Sequence, residues 1–226
     1  MWVMTVDQEA SRRRGDQVEA LLDSLRADGP LAGAPGRPSG LERPFERTAG
    51  DEVQAVFADA GLAVDVALHV LDLGGWTVGI GAGAVDRPLP AHARAGSGSA
   101  FILARGAVEA AKARRPRTLP PLAVRGEHPD VAREAEAVLV LLGSIAARRT
   151  PEGRAVVDLV RRAAEPLRQQ DLADALGITQ QAVSMRLRTA LWAEESAARP
   201  AAARLLRLAG TGGDDGSADV DREGRA

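Results

Sequence analysis

Residues Gln169-Gln-Asp-Leu-Ala-Asp-Ala-Leu-Gly-Ile-Thr-Gln-Gln-Ala-Val-Ser-Met-Arg-Leu-Arg188 carry the clearest chemistry in this sequence. Ala173 is small where two helices would cross, Gly177 can take the positive φ of a tight turn, and Thr179 can cap a second helix through its hydroxyl. Leu172, Leu176, Ile178, Val183 and Leu187 would form a shared core. Thr179, Gln180, Gln181, Ser184, Met185 and Arg188 are left at the start and on the outer face of that second helix. This pattern fits the helix-turn-helix, in which the outer face enters the DNA major groove and Gln can pair with adenine and Arg with guanine. An ordinary helical hairpin is the plainer reading of the same spacing. A second group is a pair of acids, Asp7 at the end of a first strand and Asp51 in a Gly50-Asp51 turn. Two carboxylates on neighbouring strands can hold Mg²⁺ through oxygen ligands and receive phosphates. Asp in a turn is also ordinary turn chemistry.

The elements that must position these residues follow from periodicity. Trp2–Val6 is a short strand, and Val18, Leu21, Leu22 and Leu25 mark an amphipathic helix over 15–27. A Gly/Pro-rich loop over 28–44 follows. Phe45–Thr48 and Val53–Phe57 then form a hairpin. Ala60–Leu71 is a helix ending at Gly74-Gly75, Trp76–Val85 a strand, 96–115 an Ala-rich helix, and Leu119–Val124 a last strand. The order β-α-ββ-α-β-α-β predicts an α+β sandwich with helices against one sheet. After Gly126 every pattern is helical: Asp130–Ala147, a helix capped by Thr150 with Pro151 at its first position, Arg168–Leu176, a helix starting at Thr179 and continuing through Thr189–Ala198, and an amphipathic segment near Pro200–Leu208. No β-hairpin wing is expected. The chain is read as three parts: an α+β domain over 1–126, a helical DNA-binding domain over 127–209, and a disordered acidic tail over 210–226.

Composition narrows the classes. The 226 residues include 44 Ala, 28 Arg, 24 Gly and 13 Pro, the signature of a high-GC bacterial genome, against a single Lys (Lys112) and no Asn, Cys or Tyr. Without Cys there are no disulfides, thiolate zinc sites or Cys nucleophiles. His69, His92 and His128 are scattered, which argues against a His-based metal site. No apolar run reaches the roughly 18 residues of a membrane span. The acid at Asp7 argues against a signal peptide, so a cytoplasmic location without membrane association is expected. The net charge of −2 hides a division: residues 148–208 hold 11 Arg against 7 acids, while the segments on either side are each net acidic. One basic block between acidic ones suggests a polyanion-binding module joined to something else.

Arg47-Thr-Ala-Gly-Asp-Glu-Val-Gln-Ala-Val-Phe57 resembles the metal-binding hairpin of class III nucleotide cyclases, and Ala49–Val53 is also similar to the signature of diguanylate cyclases. Val78–Val85 is similar to the following cyclase strand, and Ser99–Lys112 to the helix bearing the catalytic Arg. A closer resemblance is to the SatD family, in which such a domain precedes a helix-turn-helix. It is carried by Asp7–Arg12, Gly50–Gln54, Gly79–Gly83, Ala100–Arg105 and Gln180–Arg188, and spans roughly residues 1–195. The resemblance implies a ferredoxin-like, cyclase-type βαββαβ sandwich followed by an all-α domain. It places the metal pair on Asp7 and Asp51. The phosphate turn falls on Ala10-Ser11-Arg12, the purine-reading Lys on Arg47, and the transition-state Arg on Arg105. Ser11, Arg12, Arg47 and Arg105 are thus the implied nucleotide contacts. The acidic partner of the purine-reading residue falls on Arg94, reversing its charge, and the ribose-orienting Asn on Phe101.

These departures favour binding over catalysis. The expectation is a DNA-binding transcriptional regulator, acting as a homodimer, whose cyclase-like domain senses a nucleotide, with Mg²⁺ a possible companion, or drives dimerisation. The Val131–Ile145 helix is a candidate dimer or interdomain helix. An active metal-dependent nucleotide cyclase or related phosphoryl-transfer enzyme, regulated through the helix-turn-helix, stays open as the alternative. So does a module that contacts RNA polymerase.

Overall fold

The computed structural model describes residues 1–27, 29–32, 40–114, 120–163 and 167–210. Residues 211–226 of the acidic tail, residues 28 and 33–39 of the Gly/Pro-rich loop, and Leu119 lie outside them. Among the described residues the chain forms β1 (Trp2–Gln8), α1 (Ser11–Arg14), α2 (Val18–Ala27), β2 (Leu41–Arg47), β3 (Glu52–Phe57), α3 (Ala60–Leu73), β4 (Trp76–Ala82), α4 (Ser99–Ala113) and β5 (Leu122–Gly126). The helices α5 (Pro129–Ala147), α6 (Pro151–Arg162), α7 (Gln169–Leu176), α8 (Gln180–Thr189) and α9 (Trp192–Ala209) follow. The architecture is mixed α+β, as the periodicity predicts.

The five strands lie in the order β2-β3-β1-β4-β5. The first three contacts along that order are antiparallel, and β4 and β5 run parallel. Period-two alternation sends Met4 and Val6 of β1 with Val53, Ala55 and Phe57 of β3 into the larger core, and Val3 and Val56 into the smaller one under α4. The register pairs Asp7 with Glu52, Thr5 with Gln54 and Val3 with Val56, so Asp7 shares the parity of the α4 face. Buried Gln54 donates to the Thr5 hydroxyl at 3.0 Å on that same face.

Helix α4 sits unusually close to the sheet because both surfaces are small. A Cβ at Gly79 or Gly81 would strike the α4 backbone at Ala104, Val108 and Ala100, and α4 itself turns Ala100, Ala104, Ala107 and Ala111 inward. The Gly79-Ile-Gly segment thus serves helix–strand packing. Phe101, the implied ribose position, is a core side chain with its ring against Gly96.

The opposite sheet face carries α2, α3, α5 and α9. Ala132, Ala135, Leu139 and Leu142 of α5, with Ala202, Ala203, Leu206 and Ala209 of α9, belong to the same core as the strands. The Trp2 indole N–H donates to the Leu206 carbonyl at 2.9 Å, and the His128 N–H to that of Ala209 at 3.1 Å. A division at residue 126 is therefore corrected: α5 and α9 complete the sheet's core. Among the described residues α6, α7 and α8 share a core of their own, built from Val156, Leu172, Ala173 and Val183. The continuous helix expected over 179–198 is also corrected, because Leu191 adopts φ 53° and separates α8 from α9. Pro200 lies inside α9 rather than at a helix start.

Candidate nucleic-acid interface and the acidic strand ends

Helix α7 ends where Gly177 takes φ 64°, the left-handed conformation that glycine adopts without steric cost. Thr179 then caps α8, its side chain accepting from the Ala182 N–H at 3.2 Å. Leu172, Ala173 and Val183 are buried, with Leu176, Ile178 and Leu187 packed around them and against Val156, Leu159 and Val160 of α6. The inner face of α8 is thus fixed by apolar packing. On its other side Thr179, Gln180, Gln181 and Arg188 are exposed, Ser184 is half-buried, and Met185 is 65% exposed. Six expected contact residues fall on one accessible end and face. Gln180 is engaged by Gln170 of α7, its Nε2 donating to Oε1 at 2.7 Å, so Gln181 and Arg188 are the more available of the expected contacts.

Helix α6 is anchored to the sheet domain by ion pairs. Arg154 and Arg161 meet Asp72 of α3, and Arg161, Arg199 and Arg149 converge on Glu195 at the start of α9. The Arg161 and Arg199 guanidinium groups also lie 5.7 and 6.0 Å from the ring centroid of Trp192, within cation–π range. Apart from the i,i+4 pair of Glu195 and Arg199, these pairings are not visible in sequence; Arg199 also reaches Asp65, 134 residues away.

The acidic pair is brought to one end of the sheet: the Gln8 N–H reaches the Asp51 carbonyl at 3.3 Å. The Asp7 carboxylate, however, is met by the chain's single lysine, with Lys112 Nζ 2.9 Å from Oδ1. Lys112 also pairs with Glu109. Burial raises the Asp7 carboxyl above its ordinary range; Lys112 opposes that rise, and Asp51 and Glu52 add to it. The side-chain parity explains the pairing, since Asp7 faces α4 and Lys112 sits at the end of α4.

These residues do not fit a Mg²⁺ pair. An ammonium group occupies the first carboxylate, and among the described residues no cluster of three or more His, Cys, Asp or Glu could hold a metal ion. We expect Mg²⁺ at millimolar concentration to leave the melting temperature unchanged in the wild type and in Asp7→Asn. A Mg²⁺-dependent rise lost in that variant would overturn this reading. Since the Asp7 pKa is raised on folding, its ionisation destabilises the native state as pH climbs from the ordinary carboxyl range through the raised value.

The implied nucleotide contacts do not converge. Arg47 bonds Asp16 at 2.8 Å and the Gly50 carbonyl at 2.6 Å, bracing β2 against the start of α2. Ser11 and Arg12 lie on the short α1, and Arg12 is exposed. Arg105 is exposed on α4, two helical turns before Lys112, or about 10 Å along the axis. Arg94 is exposed in the 3₁₀ turn Ala93–Ala95. A cavity of about 380 Å³ at this end of the sheet is lined by Asp7, Glu9, Thr77, Lys112 and Arg114 among others, and by none of the four implied contacts.

Comparison with known protein families, curated proteins and solved structures finds no match for this chain. No helix among the described residues is long and apolar enough to cross a membrane.

Proposed function

We propose that this protein is a DNA-binding transcriptional regulator whose α7–turn–α8 unit acts as a helix-turn-helix. The observation that carries the reading is the two-sided character of α8, with Val183 fully buried against α6 and α7 and Gln181, Met185 and Arg188 exposed on its other side. The basic excess over residues 148–208 supports it through the salt-dependent phosphate term common to DNA binders. The strand order β2-β3-β1-β4 supports a ferredoxin-like, cyclase-type sandwich, and the resemblance to the SatD family accounts for its pairing with a helix-turn-helix. In this reading the sandwich is a scaffold that no longer runs cyclase chemistry: Lys112 holds Asp7, and Phe101 fills the ribose position with core packing. Two copies would read half-sites about 34–36 Å apart, as in other dimers of this type, in the cytoplasm where the DNA lies.

The test is a mobility-shift titration at fixed salt on DNA fragments selected from a random pool. Gln181→Ala and Arg188→Ala should each weaken binding to the selected sequence by about 1–3 kcal/mol, roughly 5- to 150-fold. They should weaken binding to unrelated DNA far less in the case of Gln181→Ala, which removes no charge. Equal affinity of wild type and both variants would remove α8 as the reading helix.

A further inference from the structure

The ionic cluster between α3, α6 and α9 opens onto a cavity of about 260 Å³. Arg154, Arg161 and Arg199 form one side of it, while Ser24 of α2 and His69 of α3 bring in neutral polar groups, Ser24 Oγ lying 3.0 Å from His69 Nε2. Within the connected cluster, four guanidinium groups (Arg149, Arg154, Arg161 and Arg199) face three carboxylates (Asp65, Asp72 and Glu195). Asp158 and Arg162, which also line the cavity, add one charge of each sign. The cluster therefore holds one positive charge in excess.

Two of its donors are also unused. Arg149 Nη1 and Arg161 Nε are buried and have no hydrogen-bond partner among the described residues; of the two residues only Arg161 lines the cavity, while Arg149 lies behind it against Glu195. Leaving a buried donor unsatisfied is costly, more so on a charged group, and native structures rarely keep such groups without a reason. Burial lowers the Arg161 pKa, an effect that Glu195 opposes and Arg199 reinforces. A compact anion at the cavity wall would answer the excess charge, and guanidinium groups suit phosphoryl oxygens because their planar forks can donate two bonds in parallel.

We propose that this cavity binds a small phosphorylated metabolite, its phosphoryl group against Arg154 and Arg161 and its polar body toward Ser24 and His69. The occupant would bridge α3 to α6, the helix on which α7 and α8 pack, and would thereby set how firmly the DNA-reading unit is held. This regulatory consequence rests on the DNA-binding reading; the cavity assignment does not.

Calorimetry on the full chain with inorganic phosphate and with ribose 5-phosphate, at matched ionic strength in chloride, tests the assignment. Saturable one-to-one binding is expected, tighter for ribose 5-phosphate. Arg154→Gln, at a part-exposed position and with its fold checked by circular dichroism, should weaken both probes about tenfold or more. His69→Ala should reduce the preference for ribose 5-phosphate while sparing phosphate itself. Absence of saturable binding, or equal affinities in wild type and Arg154→Gln, overturns the site. A mobility shift repeated with and without ribose 5-phosphate reads the coupling. A changed affinity supports it, and unchanged affinity with the probe bound rules it out. Probe binding in a protein that shifts no DNA would sink the DNA-binding reading and uphold the cavity.

Discussion

Glu195→Ala should lower the unfolding free energy by about 3–5 kcal/mol, the range for removing one partner from a buried ion pair. The Glu195 side chain is fully buried, and it accepts from Arg149 and, at 2.6 Å each, from Arg161 and Arg199. Removing it leaves Arg149, whose side chain is only 1% exposed, without its carboxylate, and leaves Arg161 and Arg199 with only Asp72 and Asp65. Against a typical total of about 5–15 kcal/mol, that loss is enough to loosen α6–α8 from the sheet domain. Glu195→Gln keeps the volume and an acceptor but not the charge, and should fall between. Urea unfolding by circular dichroism decides the matter: an alanine variant within about 1 kcal/mol of wild type would show that the network contributes little.

The same residue sets an acid limit. Burial alone would raise its pKa, but Arg161, Arg199 and Arg149 prevail and hold the carboxyl below its ordinary range. A carboxyl lowered on folding contributes stability that is fully present above its ordinary pKa and is lost as pH falls through the lowered value. Stability measured from neutral pH downward should drop in the wild type, and this drop should flatten in Glu195→Gln.

Gly81→Val should be the most damaging single change in the sheet. The added Cβ would meet the Ala100 carbonyl and the Ala104 backbone, and backbone atoms of a packed helix cannot step aside as a flexible side chain can. Overpacking costs about 1–3 kcal/mol, occasionally more, and here α4 must lift as a unit, taking Lys112 away from Asp7. Gly106→Ala is the control: Gly106 is on the exposed side of α4, where a Cβ meets nothing within 4 Å, so helix propensity should make it stabilising by about 0.5–1 kcal/mol. Thermal melts moving in opposite directions are the expected result. A Gly81→Val melt matching wild type would mean that α4 does not rest on the strand.

What sequence discloses here is mostly local. Gly177, Thr179, Thr150 and Pro151 act within a few residues of themselves, so their turns and caps are readable from spacing. Long-range partners are not. Asp7 and Asp51 look like a metal pair in one dimension, and only the strand parity that aims Asp7 at the end of α4 brings in Lys112. The start of β2 at Leu41 is hidden by Pro44, which an edge strand tolerates because it need not donate on its open side. Leu191 gives no warning of its positive φ, since leucine seldom adopts it. The joint core of α5, α9 and the sheet depends on side chains far apart along the chain, which periodicity marks as buried without saying against what.

The connectivity of α5 and α9 has a further consequence. Because both belong to the sheet's core, the α6–α8 segment is an insertion, tethered at each end to that one core. Its two ends meet, as Arg149 Nε donates to the Ala190 carbonyl at 3.1 Å. In the DNA-binding reading proposed above, such an arrangement makes α6–α8 a cassette: another three-helix unit joined at the same two ends would change the sequence that is read while the sheet and its helices keep their packing.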